Sequence, residues 1–305
     1  MNNKTGYRDF RIADFLLRIE GDKWIVPSGH FGHALRTFLV ETEAEQSPLV
    51  HLFCEAEQMP DLAAYTLVDR FPFPEVDAEC SLYINETAQL VTMELKEGLC
   101  FWLHREIDSP ITRCNLMACR EADEVGSLFR FGLWMIFGMA IAPHGAIAIH
   151  SSAIVKEGRA VLFLGESGTG KSTHTRLWRK HIAGAQLLND DSPILRLREG
   201  KALVYGTPWS GKTPCYRQEC YPIAGLVRLS QAPYNQVKRQ STLQAFGALL
   251  PSCPPSFCHE ARLNDALCAT LSQLIACVPT YRLACLPNRE AALLSCQTLI
   301  GEELC

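Results

Sequence analysis

The chain has 305 residues, 48% of them apolar and 20% charged, with a net charge of −4. Those proportions exclude a disordered or low-complexity chain and leave no bulk basic footprint for DNA or RNA. The length fits one or two domains, each with its own core. Met1 opens a polar stretch without the charged-then-apolar pattern of a secretory leader, which sets the expectation of a cytoplasmic protein. Strands are predicted over Phe10–Glu20, Leu49–Cys54, Cys80–Asn85, Leu90–Leu95 and Cys100–His104, separated by turns rich in Pro, Gly and Asp. A helix follows from about Glu121 to Ala142, ended by Pro143-His144-Gly145. Its apolar run, Leu128 to Ala142, contains Arg130 and reads as a buried helix too short to span a bilayer, so no membrane partner is expected.

From there strands and helices alternate. Strands are predicted over Ala146–Val155, Ala160–Leu164, Leu187–Asn189, Leu203–Tyr205, Leu226–Leu229 and Tyr281–Cys285. Helices are predicted over Ser172–Ile182, Leu263–Cys277 and Arg289–Leu304. The chain therefore divides near residue 115 into a β-rich part (1–115) and an α/β part (116–305). Fourteen cysteines are expected as reduced thiols. The pairs Cys114/Cys119, Cys215/Cys220 and Cys253/Cys258 lack the two-residue spacing of a zinc site.

The short apolar strand Val161–Leu164 runs into Gly165-Glu166-Ser167-Gly168-Thr169-Gly170-Lys171-Ser172, and Thr173 continues into a predicted helix. Strand, glycine loop and helix are the context in which backbone N–H groups and a helix N-terminus cradle phosphates. In that context Lys171 reaches the β- and γ-phosphates, and the Ser172 hydroxyl ligates Mg²⁺. ATP and Mg²⁺ are therefore the expected cofactors.

A second match, Gly206-Thr207-Pro208-Trp209-Ser210-Gly211-Lys212-Thr213, is a poor cradle, because Pro208 lacks an N–H and Pro214 blocks a following helix. It reads either as a turn between strands or as a loop whose Trp209, Ser210 and Lys212 meet an anionic substrate. The helix after the P-loop and the return strand from Gln186 have nearly equal lengths, about 17 and 16 Å. The pair Asp190-Asp191 thus returns level with the phosphates. A tight turn at Glu157-Gly158 sets His150 opposite Gly165, at the mouth of the loop.

His150, the loop over residues 165–173, Asn189-Asp190-Asp191 and the Gly206–Lys212 segment together resemble the HPr kinase/phosphorylase-like group. Within it, the chain resembles the HPr kinase-related proteins that include peptide-modifying serine kinases of natural-product gene clusters. The likeness covers roughly residues 140 to 300. It implies a mixed-sheet P-loop kinase domain akin to that of phosphoenolpyruvate carboxykinase. It also implies phosphate transfer to a serine-type hydroxyl of a peptide, protein or small molecule. By the same resemblance Asp190 is the general base, His150 pairs with it, and Asp191 and Ser172 handle Mg²⁺. Thr173 stands where true HPr kinases carry Glu, so HPr itself is not the expected acceptor. The alternative reading is a regulatory or non-catalytic nucleotide-binding protein. The β-rich part is open to use as a peptide clamp or as an interface of a homo-oligomer.

Overall fold

The computed structural model describes residues 6–21, 30–42, 46–211 and 213–301. It is a mixed α/β protein of two compact units. One runs to His144 and includes His259–Ala261; the other comprises Gly145–Cys258 and the chain from Arg262 on.

The first unit is built on a nine-stranded sheet. Its strands are β1 (Gly6–Ile12), β2 (Phe15–Gly21), β3 (Leu39–Val40), β4 (Val50–Phe53), β5 (Thr66–Phe73), β6 (Ala78–Ile84), β7 (Ala88–Leu95), β8 (Cys100–Glu106) and β9 (Ile111–Cys114). They lie in the order β3-β1-β2-β4-β9-β8-β7-β6-β5. The expected strand Phe10–Glu20 is a hairpin, because Ala13 and Asp14 take positive φ and turn the chain between β1 and β2. Two helices belong here, α1 (His30–Arg36) and α2 (Val125–Ile141).

Helix α2 packs on β7 and β8, which is why the division between units falls after His144 rather than near residue 115. With its closing 3₁₀ turn α2 covers 20 residues, Val125–His144, long and apolar enough for a bilayer by length and composition. That corrects the expectation that it is too short. Leu128, Phe129, Leu133, Ile136 and Phe137 are nevertheless buried inside the unit.

The second unit holds the strands β10 (Ala146–Ala148), β11 (Ser151–Lys156), β12 (Arg159–Leu164), β13 (Gln186–Asp191), β14 (Ile194–Arg198), β15 (Lys201–Tyr205), β16 (Cys220–Gln231), β17 (Gln236–Arg239) and β18 (Thr280–Cys285). Its helices are α3 (Lys171–His181), α4 (Thr242–Leu249), α5 (Ala261–Cys277) and α6 (Arg289–Leu299). The 12-residue β16 joins two halves of one sheet. Its start pairs with β15, and its later part pairs in parallel with β12 on one side and β18 on the other. Phe163, Trp178, Val227, Leu229, Leu283 and Cys296 form the core between this sheet and helices α3 and α6.

The single strand expected over Ala146–Val155 is two. Ala148 pairs with β14, whereas Ser151 pairs with β12 and β13. The chain changes partners at Ile149-His150, where Ile149 N donates to Pro193 O (3.1 Å) and His150 N to Ser252 O (2.6 Å).

Candidate active site

The parallel strands β12, β16 and β18 end at one edge of the sheet, and β13 ends there too, beyond β11. Gly165–Gly170 leaves that edge and enters α3. Gly165, Gly168 and Gly170 have φ of 147°, 82° and 102°, values that L side chains rarely adopt. At Gly165 a Cβ would lie 2.5 Å from Thr169 Oγ1, and that hydroxyl donates to Glu166 O at 2.8 Å, closing the loop on itself. Gly170 caps α3 without a side-chain acceptor, so the first N–H groups of the helix are left to the loop's concave side.

Lys171 is folded into the loop. Its Nζ donates to Gly165 O (2.7 Å) and Glu166 O (3.1 Å), and the residue is 9% exposed. Burial pushes its ammonium below the usual lysine value. The Asp191 and Asp190 carboxylates oppose that shift, and Arg228 adds to it. The lysine thus feels both acids and one further cation. Ser172 and Thr173 sit in the first turn of α3, Ser172 exposed.

The two acids point differently, as neighbours on a strand must. Asp190 is 5% exposed; its Oδ1 accepts from Ser152 Oγ at 2.7 Å, and Ser152 Oγ is 3.0 Å from Thr175 Oγ1 of α3. Its Oδ2 is buried without a hydrogen-bond partner. Asp191 is more open, and its Oδ1 lies 3.1 Å from His150 Nδ1. The hairpin register is as read from the sequence, with Ser151 opposite Leu164. The pairing of His150 is not: the imidazole meets Asp191 rather than Asp190.

Asn189 holds this corner together. Its Nδ2 lies within hydrogen-bond reach of Thr207 O (3.3 Å), Thr207 Oγ1 (3.2 Å) and Trp209 O (3.1 Å). Its Oδ1 accepts from Asp191 N (3.1 Å) and Ser192 N (2.9 Å).

The second glycine loop is explained by this packing. A Cβ on Gly206 would lie 2.1 Å from Arg217 O, and one on Gly211 2.6 Å from Asp190 O, to which Gly211 N donates at 3.0 Å. Both glycines allow backbone to approach backbone. Trp209 is 2% exposed and so belongs to the core rather than to a substrate-facing loop, while the half-buried Ser210 donates its hydroxyl to Thr213 O at 2.8 Å. Lys212 lies outside the described residues.

The sequence reading missed four groups: Ser152 and Thr175 behind Asp190, Thr207 behind Asn189, and Arg228. Serine and threonine in buried strand and helix positions carried the only signal for the first three. Arg228 sits beside Leu164 in register, with Nη2 3.6 Å from Glu166 Oε1 and Nη1 donating to Ala248 O at 3.0 Å. On one flank of the loop a cavity of about 720 Å³ is walled by Leu177, Leu229, Pro233, Leu286 and Pro287 and reaches Thr173.

No family model matches the chain, and no curated protein does. Among solved structures it is similar to the Hpr(Ser) kinase/phosphatase from Coxiella burnetii, with 13% identity, 51% of this chain and 95% of that chain covered, and a TM-score of 0.30.

Proposed function

We propose that the second unit is an ATP- and Mg²⁺-dependent phosphotransferase acting on a serine-type hydroxyl. One observation carries this reading: a glycine loop closed around a buried lysine stands at the same sheet edge as an acid pair, one member of which is held by a histidine. Phosphoryl transfer asks mainly for positioned phosphates, charge neutralisation and a group that takes the hydroxyl proton. Gly165–Ser172 and Thr173 suit the phosphates, with Lys171 turning from its loop carbonyls toward the β- and γ-oxygens. The apolar cavity beside Thr173 suits the nucleoside.

The residues fit a magnesium ion. Asp190 Oδ2 is a buried carboxylate oxygen with no partner, beneath the turn that carries Ser172. Among the described residues no three His, Cys, Asp or Glu side chains converge on one point. That suits an ion held by one or two protein ligands and by substrate phosphates. Asp190 and Ser172 would hold it, and it would supply neutralisation of phosphate charge.

Access favours Asp191 as the base. The Asp190 oxygen is buried behind the first turn of α3, whereas Asp191 is open to solvent beside His150. We therefore give Asp191 the proton-accepting role and Asp190 the cation, reversing the roles drawn from the family resemblance. His150 orients Asp191.

Turnover of labelled Mg-ATP tests the assignment. Asp191→Asn retains nucleotide binding and slows transfer or hydrolysis at least about a hundredfold, since general-base assistance is worth about 10²–10⁴. Asp190→Asn instead raises the Mg²⁺ concentration required. Wild-type turnover in Asp191→Asn removes it as the base.

A further inference from the structure

Three cations line up beside the phosphate loop. Arg228 on β16 is in register with Arg282 on β18, and Arg282 with Lys238 on β17. Arg228 is itself in register with Leu164, the residue before the loop. Directly paired residues project from the same face of a sheet, and neighbouring strands are about 4.8 Å apart, so Arg228, Arg282 and Lys238 lie roughly 5, 10 and 14 Å from the strand that carries the loop. The alternate residues Val227, Leu229 and Leu283 face the α3 and α6 core, so the cations lie on the opposite face.

Like charges placed side by side on a sheet destabilise it unless something else compensates. Little on the chain does. Glu166 stands 3.6 Å from Arg228, with its own side chain 82% exposed. Arg282 Nε donates only to Ser230 Oγ, at 3.4 Å, and among the described residues no carboxylate pairs with Arg282 or Lys238. Arg228 and Arg282, but not Lys238, line a cavity of about 730 Å³ together with Glu166, Ser167, Gln240 and Gln244. All of this sits on a chain whose net charge is −4.

We propose that this row docks an acidic peptide segment of the acceptor. The inference rests on the phosphotransferase reading above and adds the class of substrate. A peptide is favoured over a small anion because the cations are strung along a line rather than gathered around a point. The serine to be phosphorylated sits by Asp191 on β13, two strands to the other side of β12. An extended chain advances about 3.3 Å per residue, so cations about 14 to 24 Å from Asp191 meet side chains about four to seven residues from the serine.

The full-length protein is incubated with labelled Mg-ATP and an arrayed peptide library. Each peptide has a fixed central serine and one flanking position fixed as Glu, Gln or Lys. Glu four to seven residues from the serine, on the side that runs toward β17, should be preferred over Gln about fivefold. The preference should fade between about 0.05 and 0.5 M salt. Arg282→Glu with Lys238→Glu should invert it toward Lys, and the milder Arg282→Gln should weaken it. Mg-ATP stabilisation of each variant checks folding. Equal use of Glu and Gln by the wild type overturns the proposal, as does an unchanged preference in Arg282→Gln. ATP hydrolysis with transfer to no peptide also overturns it and leaves the phosphotransferase reading standing. Failure of the wild type to bind Mg-ATP removes both.

Discussion

His150 Nδ1 lies 3.1 Å from Asp191 Oδ1, and this contact rather than one to Asp190 organises the open side of the site. The histidine occupies the gap between β10 and β11, where its own N–H is fixed by Ser252 O. Ser151 is in register with Asp191, so His150 stands just past the end of β13. A ring held this way limits the orientations of the carboxylate without touching the buried acid. His150→Ala should therefore slow turnover on the order of tenfold, less than loss of the base itself. Mg-ATP should still stabilise the variant against heat. A loss as large as that of Asp191→Asn would make the imidazole the proton acceptor.

Gly165→Ala tests the shape of the loop rather than its charge. The added Cβ meets Thr169 Oγ1 in a conformation, φ 147°, that alanine strains to adopt. Strain of this kind costs about 1–3 kcal/mol. The variant should melt lower and lose most of its stabilisation by Mg-ATP, because the loop can relax only by turning its N–H groups out of the cradle. Undiminished stabilisation by nucleotide would place the phosphates elsewhere.

The glycine loop between β12 and α3 was legible in the sequence, since its glycine spacing and its flanking strand and helix are local features. The register of the β11–β12 hairpin was legible for the same reason: a tight turn fixes it. The orientation of the acids was not. Which of Asp190 and Asp191 faces α3 depends on how β13 pairs with β11, and that ladder slips between Ala153 and Ile154. The break at Ile149-His150 was hidden because it reflects a change of partner strand, not a turn residue. Arg228, Arg282 and Lys238 meet only through the long-range pairing of β16, β18 and β17, which no local pattern announces. Trp209 looked like a loop aromatic and proved to be core, because Asn189 draws its backbone inward.

Asn189 should be costly to replace. Asn189→Ala removes the amide contacts to Thr207 and Trp209 and the acceptor used by Asp191 N and Ser192 N, all of them in a buried corner. Unsatisfied buried groups cost about 1–3 kcal/mol each, so a loss of about 3 kcal/mol in urea unfolding is expected. Asn189→Asp keeps the acceptor but sets a buried carboxylate oxygen against the Thr207 and Trp209 carbonyls, so it should lose at least as much. Equal stability of wild type and Asn189→Ala would mean that the corner is held by Thr207 alone.

His174 gives a pH dependence of stability. Burial between Phe163 and Ser295 depresses its imidazole from 6.5 to about 4. The folded pKa lies below the unfolded one, so the unfolded chain takes up this proton first. Its contribution is fully present above about pH 6.5 and is lost as pH falls toward 4. The size is about 3 kcal/mol at about 1.4 kcal/mol per pKa unit. His174→Gln, which keeps a partner for Ser295, should flatten the decline of melting temperature across that window. An identical decline in variant and wild type would assign it to other groups.

Gly165–Ser172 is proposed to hold the phosphates of ATP, and thermal melting with and without Mg-ATP reads that binding without any known acceptor. Lys171 is the cation folded into the loop, with Nζ 2.7 Å from Gly165 O. Wild type at a nucleotide concentration about 100 times its Kd should gain about 2.7 kcal/mol of stability. Lys171→Ala should fold and yet gain little or nothing under the same conditions. Equal stabilisation of Lys171→Ala and wild type would mean that ATP does not bind at this loop.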